Sequence, residues 1–304
     1  MNSDYSMINS EKLKKILESK SIIKIGGAYD ALSAKLVETS GFDAIWAGSF
    51  AISATHALPD ASILTMTDFL RVAENMADAC EIPVIADCDT GYGGPANVSH
   101  AVKKYEKAGI AGISIEDKIF PKQNSLLENS KQELLSEKDF VAKILAAKES
   151  KIEENFMIIA RTEALIAEKG MEEAIKRARA YEQAGADAIL IHSKKNNPDE
   201  IFEFSDNWNG KIPLVVVPTS YPSVKLNELI SHKIKMVIYA NQSLRAAHNI
   251  MSKLLKEITE KDSIDEIKTE MSSMNDIFKL QEMYKINDQQ KIIEKDLKKM
   301  GYIN

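Results

Sequence analysis

The sequence predicts an α/β protein with a (β/α)8 barrel of the TIM type, and three observations support this prediction. Short segments rich in Val, Ile and Ala recur along the first 241 residues and alternate with helical patterns. The segments are continuously apolar, which is typical of parallel strands buried on both faces. Several repeat the same layout, such as the Ile-Pro that precedes two of them. Eight strand–helix units within about 240 residues fit this barrel.

Each of the eight predicted strands ends in polar residues. In chain order the segments are IIKIGGAYD (22–30), SGFDAIWAGS (40–49), EIPVIADCDTG (81–91), AGIAGISIED (108–117), FMIIARTEA (156–164), AGADAILIHS (184–193), KIPLVVVPTS (211–220) and KMVIYAN (235–241). An open doubly wound sheet is the alternative fold. Such a sheet usually carries a glycine-rich phosphate turn after its first strand, and GGAYD matches that turn poorly.

Glycine and proline mark the strand starts. Gly41, Gly109 and Gly185 follow helical patterns, and we expect them to end those helices with positive φ, which glycine adopts at little cost. Pro83 and Pro213 stand at strand starts, where a missing N–H group costs least.

The chain ends are predicted to be helical. Residues 9–20 form a short leading helix, and helical patterns follow residue 241, including 263–274 and a long segment from Met274. We interpret residues 1–304 as one barrel domain in which 243–304 is a helical extension used in oligomer contacts, exchanged between the subunits of a dimer or tetramer. Packing of this extension on the outside of its own barrel is the simpler alternative.

Composition excludes several classes of protein. Of 304 residues, 44% are hydrophobic and 28% charged, with a net charge of −6. There is no basic stripe for nucleic acid and no apolar run near the ~20 residues that cross a bilayer. The N-terminal MNSDYSMINS lacks the layout of a signal peptide. Cys80 and Cys88 show no metal-binding spacing and are expected as reduced thiols, so we expect a cytoplasmic protein.

Polar residues at the strand ends indicate a functional site, because these ends meet at one mouth of a β/α barrel. They include Asp87, Asp89, Glu116, Arg161 and His192. Acids gathered in one cavity need a compensating cation, and an all-oxygen set suits Mg²⁺. The Arg161 fork fits a carboxylate or phosphoryl group, so a small anion is the expected substrate. A solvated strand end, and for His192 a structural histidine, are the simpler interpretations of each residue taken alone.

A long loop follows the fourth strand. KIFPKQNSLLENSKQEL (118–134), hereafter the lid loop, shows no clear helix before about Ser136. Loops of this length in a compact barrel are often lids. Lys122, Asn124 and Ser125 would lie on it and close over the anion, whereas a disordered surface loop is the alternative.

The stretch EDKIFPKQNS resembles the phosphoenolpyruvate mutase family of the isocitrate lyase/phosphoenolpyruvate mutase superfamily. The family pattern is Glu-Asp-Lys, five residues, then Asn-Ser, here Glu116-Asp117-Lys118 and Asn124-Ser125. LPDAS, ADCDTGYGG and IARTEALIA support the resemblance, which runs from about residue 26 to the C-terminal helices. It implies an isomerase of phosphonate biosynthesis that interconverts phosphoenolpyruvate and 3-phosphonopyruvate, through a Mg-bound pyruvate enolate and a metaphosphate-like group.

The resemblance implies a metal site and a phosphoryl site. Asp87 would bind Mg²⁺ directly, while Asp60, Asp89 and Glu116 act mostly through its waters.

The phosphoryl group would be contacted from both the barrel and the lid loop. Arg161 and His192 would hold it together with the oxygen that it leaves. Asn124 and Ser125 would meet it from the lid loop, which Lys122 helps to hold closed.

The resemblance also implies a carboxylate pocket, in which Trp46 forms part of the wall. The backbone amides of Ser49 and Phe50, after Gly48, would receive the substrate carboxylate. Family members usually read Ser-Gly-Leu or Ser-Gly-Phe where this chain has Gly48-Ser49-Phe50, so the serine hydroxyl is displaced by one position.

Other functions remain open at this point. Phosphonopyruvate hydrolase, which yields pyruvate and phosphate, shares the site but lacks the asparagine of the Asn-Ser pair, so Asn124 favours the mutase. Carbon–carbon lyases of the methylisocitrate type carry a lid cysteine, and neither cysteine of this chain lies in the lid loop. A non-catalytic barrel that binds a phosphonate is a fourth possibility. Because C–P bond formation is uphill, the resemblance also implies coupling to a phosphonopyruvate decarboxylase.

Overall fold

Eight parallel strands close into a barrel in chain order, which confirms the predicted fold class. The structure is a computed structural model that describes residues 7–303. The barrel closes where β1 pairs with β8. The strands are β1 Ile23–Ala28, β2 Ala44–Ala47, β3 Val84–Asp87, β4 Gly112–Glu116, β5 Met157–Thr162, β6 Ala188–Ile191, β7 Leu214–Val216 and β8 Ile234–Tyr239.

Within residues 7–303, eight helices connect consecutive strands, two of them between β2 and β3, whereas one helix precedes β1 and three follow β8. In chain order the helices are α1 Asn9–Ser19, α2 Ala31–Thr39, α3 Ser49–Thr55, α4 Met66–Ala79, α5 Pro95–Lys107, α6 Glu137–Ser150, α7 Met171–Gln183, α8 Asp199–Asn207, α9 Leu226–Ser231, α10 Gln242–Glu260, α11 Met274–Leu280 and α12 Met283–Lys299. Among the described residues, no helix is both long and apolar enough to cross a membrane.

The strands are apolar throughout because both of their faces are buried. In β2, Ala44 and Trp46 belong to one hydrophobic cluster, whereas Ile45 and Ala47 belong to a second cluster that also contains Phe69 of α4. Side chains on a strand alternate between its two faces. The first cluster therefore fills the barrel and the second joins the strands to the helices, as in other barrels of this type.

The predicted positions of glycine at helix ends and of proline at strand starts are confirmed. Gly41, Gly109 and Gly185 have φ of 82°, 74° and 99°, the left-handed region where a glycine ends a helix without strain. β3 begins directly after Pro83, whose carbonyl accepts a hydrogen bond from Ile45 N at 2.9 Å. Pro83 thus takes part in the strand pairing through its carbonyl oxygen, and the N–H donor that proline lacks is not used in this contact.

The predictions for the chain after residue 260 are partly wrong. The segment 263–274 forms only one 3₁₀ turn, Ile264–Glu266, because Glu257 Oε2 accepts from the backbone N–H groups of Lys268 and Thr269 in place of helical carbonyls. The long helix predicted from Met274 is interrupted at Glu282, which has φ 56°.

The chain divides into two compact units, and the boundary along the sequence falls between Arg245 and Ala246. The first contains the barrel, and the second contains most of α10 together with α11 and α12. The predicted use of 243–304 in oligomer contacts stays a prediction.

Candidate active site

The carboxyl ends of the strands surround a cavity of about 170 Å³. This volume lies below the usual range for drug-sized ligands and suits a small molecule. The predicted site residues that line it are Trp46, Gly48, Ser49, Phe50, Asp60, Asp87, Lys122, Asn124, Ser125, Arg161 and His192. Asp89 and Glu116 contact two of these lining residues, Lys122 and Arg161. The structure therefore brings all the predicted site residues together.

The acids at the ends of β3 and β4 are held by backbone contacts. Asp87 Oδ1 accepts from Asp89 N at 3.2 Å, and Asp89 O accepts from Glu116 N at 2.8 Å. Asp89 has φ 50°, a conformation that aspartate tolerates better than most residues. Burial raises the pKa of Asp89 to about 7; Lys122 opposes this shift, and the charges of Asp87, Asp60 and Glu116 reinforce it. The four carboxylates thus act on one another electrostatically.

Lys122 of the lid loop places its ammonium among these acids. Its Nζ lies 2.9 Å from Asp60 Oδ1 and 2.5 Å from Asp89 Oδ1, and it donates to Ser49 Oγ at 3.2 Å. Burial alone would lower the pKa of Lys122, but the surrounding carboxylates, Asp89 foremost, raise it well above its ordinary value. The lid loop therefore carries a permanent cation into the acidic side of the cavity.

The acidic side has the donor chemistry of a site for a hard divalent ion. Glu116 Oε1 is buried without a hydrogen-bond partner among the described residues, while its Oε2 faces Arg161 Nε at 3.2 Å. No three acidic, histidine or cysteine side chains within 7–303 form a ready coordination shell, and Lys122 lies against two of the acids. Carboxylate oxygens with room for retained waters suit Mg²⁺. The residues fit such an ion, and their individual roles as ligands stay predictions.

The opposite side of the cavity is built around Arg161. Its Nε donates to Glu163 Oε1 at 2.7 Å, and its Nη2 lies 3.1 Å from Ser125 Oγ and 2.9 Å from His192 Nδ1. Burial alone would lower the pKa of Arg161, but Glu163 and Glu116 raise it. The guanidinium is therefore a fixed positive charge, which is the chemistry that binds phosphoryl and carboxylate groups.

The lid loop lies against the cavity and is anchored at both ends. Lys118 and Leu134 form an isolated antiparallel bridge, and α6 begins at Glu137 with Ser136 as its cap, as the sequence predicts. Inside the loop, Lys118 Nζ donates to Gln123 O at 2.8 Å and to Ser125 Oγ at 2.6 Å.

Asn124 joins the lid loop to the acidic side. Its Nδ2 donates to Asp60 Oδ2 at 2.8 Å, and its Oδ1 accepts from Leu126 N at 3.0 Å. The Asn-Ser pair is therefore split between the two sides of the cavity, because Ser125 contacts Arg161.

The displaced serine keeps a contact within the site. Ser49 is the first residue of α3, and its Oγ donates to Asp87 Oδ2 at 3.0 Å. The hydroxyl therefore orients an acid. Reception of a carboxylate by the backbone amides of Ser49 and Phe50 stays a prediction.

Two residues with many polar contacts had no predicted role. Lys118 and Glu163 are 2% and 0% exposed, and they form an ion pair of 3.1 Å next to Ser125. The sequence does show that each is a charged residue shortly after an apolar strand, Lys118 in Glu-Asp-Lys and Glu163 in Arg-Thr-Glu. That signal shows that a charge is present but does not tell which partner it has.

Two curated relatives of different activity are equally similar to the chain. A phosphonopyruvate hydrolase from Variovorax sp. (strain Pal2) is 42% identical over 276 residues, which is 90% of this chain and 95% of the relative. A phosphoenolpyruvate phosphomutase from Tetrahymena pyriformis is 42% identical over 270 residues, which is 89% of this chain and 90% of the relative.

The same two kinds of enzyme occur among the solved structures that are similar to this chain. A phosphoenolpyruvate phosphomutase from Streptomyces platensis subsp. rosaceus superimposes with a TM-score of 0.91 at 43% identity, covering 93% of this chain and 98% of its own. A phosphonopyruvate hydrolase in complex with oxalate and Mg²⁺ gives a TM-score of 0.87 at 40% identity, with the same coverage. The family model of phosphoenolpyruvate phosphomutase matches residues 13–259. The chain therefore belongs to the phosphoenolpyruvate phosphomutase family and is an enzyme of the isocitrate lyase/phosphoenolpyruvate mutase superfamily.

Proposed function

We propose that the protein is a phosphoenolpyruvate mutase, which interconverts phosphoenolpyruvate and 3-phosphonopyruvate. The observation that carries the proposal is the position of Asn124 and Ser125, which line the same cavity as Arg161 and His192. In the forward direction the bond from phosphorus to the C2 oxygen breaks and a bond from phosphorus to C3 forms. The enol becomes a ketone, and no atom is gained or lost.

The site suits this transfer because positioning and charge stabilisation carry most of phosphoryl transfer. Arg161 and Ser125 hold the transferring group on one side of the cavity, and His192 adjoins them. Asn124 closes over it from the lid loop. The enolate then needs only to present C3 in place of oxygen. A bound Mg²⁺ would supply positive charge to the pyruvate part, and Asp87, Asp60, Asp89 and Glu116 are the residues that would hold it.

Exclusion of water distinguishes the mutase from the hydrolase. A metaphosphate-like group released in an open cavity is captured by water, which yields phosphate and pyruvate. In this chain the lid loop lies against the cavity, and Lys118, Lys122 and Asn124 each bond it to the barrel or to itself. These contacts favour retention of the group until C3 attacks.

Phosphorus NMR of the purified protein with phosphonopyruvate and Mg²⁺ tests the proposal. Phosphoenolpyruvate as the product supports the mutase. Inorganic phosphate would instead identify a hydrolase, and binding without turnover would identify a non-catalytic barrel. We expect Asn124→Ala to lower isomerisation by about 100-fold, in the range for loss of one hydrogen-bond donor from an active site. Its circular dichroism spectrum should be unchanged. Glu128→Ala, an exposed position of the same loop, is the control.

The setting of the reaction is part of the proposal. Because C–P bond formation is uphill, we propose that a phosphonopyruvate decarboxylase consumes the product. Both cysteines are free thiols, which fits a cytoplasmic location. We propose a homo-oligomer, a dimer or tetramer, formed through 243–304.

A further inference from the structure

Glu163 is a fully buried carboxylate that joins every group on the phosphoryl side of the cavity. Its Oε1 lies 2.7 Å from Arg161 Nε and 3.0 Å from His192 Nδ1. Its Oε2 accepts from Ser125 Oγ at 2.5 Å and lies 3.1 Å from Lys118 Nζ. One oxygen therefore faces the barrel groups, and the other faces the lid loop and its anchor.

The barrel fixes the position of Glu163 independently of the lid loop. Its backbone N–H donates to Asp117 Oδ1 at 2.8 Å. Asp117 Oδ2 accepts from Tyr181 Oη at 2.7 Å and from Arg177 Nη1 at 3.2 Å, and both donors belong to α7. Asp117 is itself fully buried. The carboxylate of Glu163 is thus presented by a network that extends from the strand ends to the outer helix.

The contacts of His192 Nδ1 determine which ring nitrogen carries a proton. Nδ1 lies close to Glu163 Oε1, which only accepts, and to Arg161 Nη2, which only donates. Whether or not it is protonated, Nδ1 can form a favourable hydrogen bond with just one of these two groups. Burial alone would raise the pKa of Glu163, but the charges of Arg161 and Lys118 hold it well below its usual range, so Glu163 is ionised. An unprotonated Nδ1 against this carboxylate would place two acceptors together. Nδ1 therefore carries the proton, and Arg161 Nη2 donates to Ser125.

A glutamine cannot take over this position. Each oxygen of Glu163 faces one cationic donor, Arg161 on one side and Lys118 on the other. Whichever way a glutamine amide is turned, its NH₂ group faces one of these cations. A donor against a buried cation is unfavourable. An aspartate keeps the charge but is shorter by one methylene.

We propose that Glu163 is a positioning residue that holds the proton on Nδ1 of His192, leaves Nε2 as the nitrogen that exchanges protons with a bound ligand, and holds the lid loop through Ser125. Its effect on turnover rests on the proposed function, whereas its effects on His192 and on the lid loop do not. Closure of the lid loop and the state of the histidine then depend on the same carboxylate.

The first test uses the unchanged protein. Two-bond nitrogen–proton correlation spectra of protein labelled in its five histidines report the tautomer of each ring, and His192→Gln assigns the signal of His192. We expect neutral His192 to carry its proton on Nδ1. A signal showing the proton on Nε2 would overturn the proposal; His192→Gln serves for the assignment, and the measurement itself is made on the unchanged protein.

The second test compares Glu163→Gln with Glu163→Asp. Burial lowers the pKa of His192, and Glu163 opposes this. The other charges facing the ring are Arg161 and Lys118, both positive, so Glu163→Gln should lower the pKa of His192 by about one unit or more. Glu163→Asp keeps the charge and should keep the pKa within about half a unit. An unchanged pKa in Glu163→Gln contradicts the proposal.

Hydrogen exchange and turnover complete the comparison. Glu163→Gln should lose exchange protection at 119–133 and should lower kcat by about 100-fold with a smaller change in KM. Asp43→Asn is the matched control, because Asp43 is also a buried carboxylate but precedes β2 at the other end of the barrel, where its Oδ2 accepts from Lys24 N at 2.8 Å. It should leave the pKa of His192 and the exchange of the lid loop unchanged. If phosphate is the product, the mutase proposal fails while the outcomes for His192 still decide this one.

Discussion

At the scale of single residues, the charged side chains of this site are held in place by contacts with one another and with the backbone. Asp87 illustrates this, because its Oδ2 accepts from Ser49 and its Oδ1 accepts from the backbone of Asp89. Both contacts orient the carboxylate at the mouth of the barrel, while Lys122 neutralises the neighbouring acids Asp60 and Asp89.

Asp87→Ala should abolish Mg²⁺-dependent turnover. We expect a loss of at least about 100-fold, because removal of a ligand should cost no less than the 10–100-fold that is typical of outer-shell partners. Isothermal titration with Mg²⁺ should show weakened binding by the same variant. Asp187→Asn, a carboxylate that accepts from Ile158 N before β6, serves as control. Retention of most of the turnover in Asp87→Ala would show that the metal assignment is wrong.

The sequence predicted individual site residues best where their type limits their chemistry. Asp87, Asp89, Glu116, Arg161 and His192 could be found because the strand ends of a β/α barrel meet at one mouth, although each residue alone could be a solvated strand end. Glu163 and Lys118 were visible as charges but not as partners, since Lys118 lies on the lid loop and Glu163 follows β5, 45 residues further along the chain. To predict which charged residues contact one another, one needs the register between strands, and a single sequence does not give it.

At the scale of elements, the lid loop is held to the barrel by a few buried polar contacts. Lys118 is one anchor, because it donates to Gln123 O and Ser125 Oγ and pairs with Glu163. Most of the other residues of the loop are exposed.

Lys118→Met should loosen the lid loop and destabilise the barrel. Loss of one partner of a buried ion pair leaves Glu163 uncompensated, and we expect a decrease of about 3 kcal/mol in the free energy of unfolding. Urea denaturation measures this, and hydrogen exchange should show faster opening of 119–133. Lys131→Met is the control, because the Lys131 side chain is 78% exposed and pairs with Glu133, which is itself exposed. Equal exchange rates in the two variants would remove Lys118 as an anchor.

Elements were predictable where periodicity and turn residues agree. All eight strands were found, because each is a continuous apolar segment with a polar end, and most of them follow a glycine or a proline. The helix predicted for 263–274 is absent, because the apolar residues there follow helical spacing while Glu257 accepts from the N–H groups that a helix would use. Side-chain capture of this kind competes with helix formation and leaves no periodic signal.

At the scale of the whole molecule, the second unit exposes large apolar side chains. No residue of α10, α11 or α12 is buried. Leu255 and Ile293 are each 58% exposed, and Ile292 is 62% exposed. Apolar surface of this kind on helices is typical of protein–protein contacts.

We expect the protein to self-associate through this unit. Sedimentation velocity at micromolar concentration should give a mass of at least twice the 33.8 kDa of one chain. Leu255→Glu with Ile293→Glu should shift the protein toward the monomer, because a charge buried at an interface without a partner is costly. Gln290→Glu, which adds a charge at an exposed polar position of α12, should not. A monomeric unmodified protein would contradict the predicted oligomer.

The two ends of the lid loop are pinned side by side on the barrel. Ile119 N donates to Glu133 O at 3.0 Å, Leu135 N donates to Asp117 O at 2.8 Å, and Arg177 holds the carbonyl of Leu135. The intervening segment leaves and re-enters the fold at almost one point, so its length and sequence can change without moving a strand. A change within this segment would therefore alter what covers the cavity while the barrel beneath it stays the same.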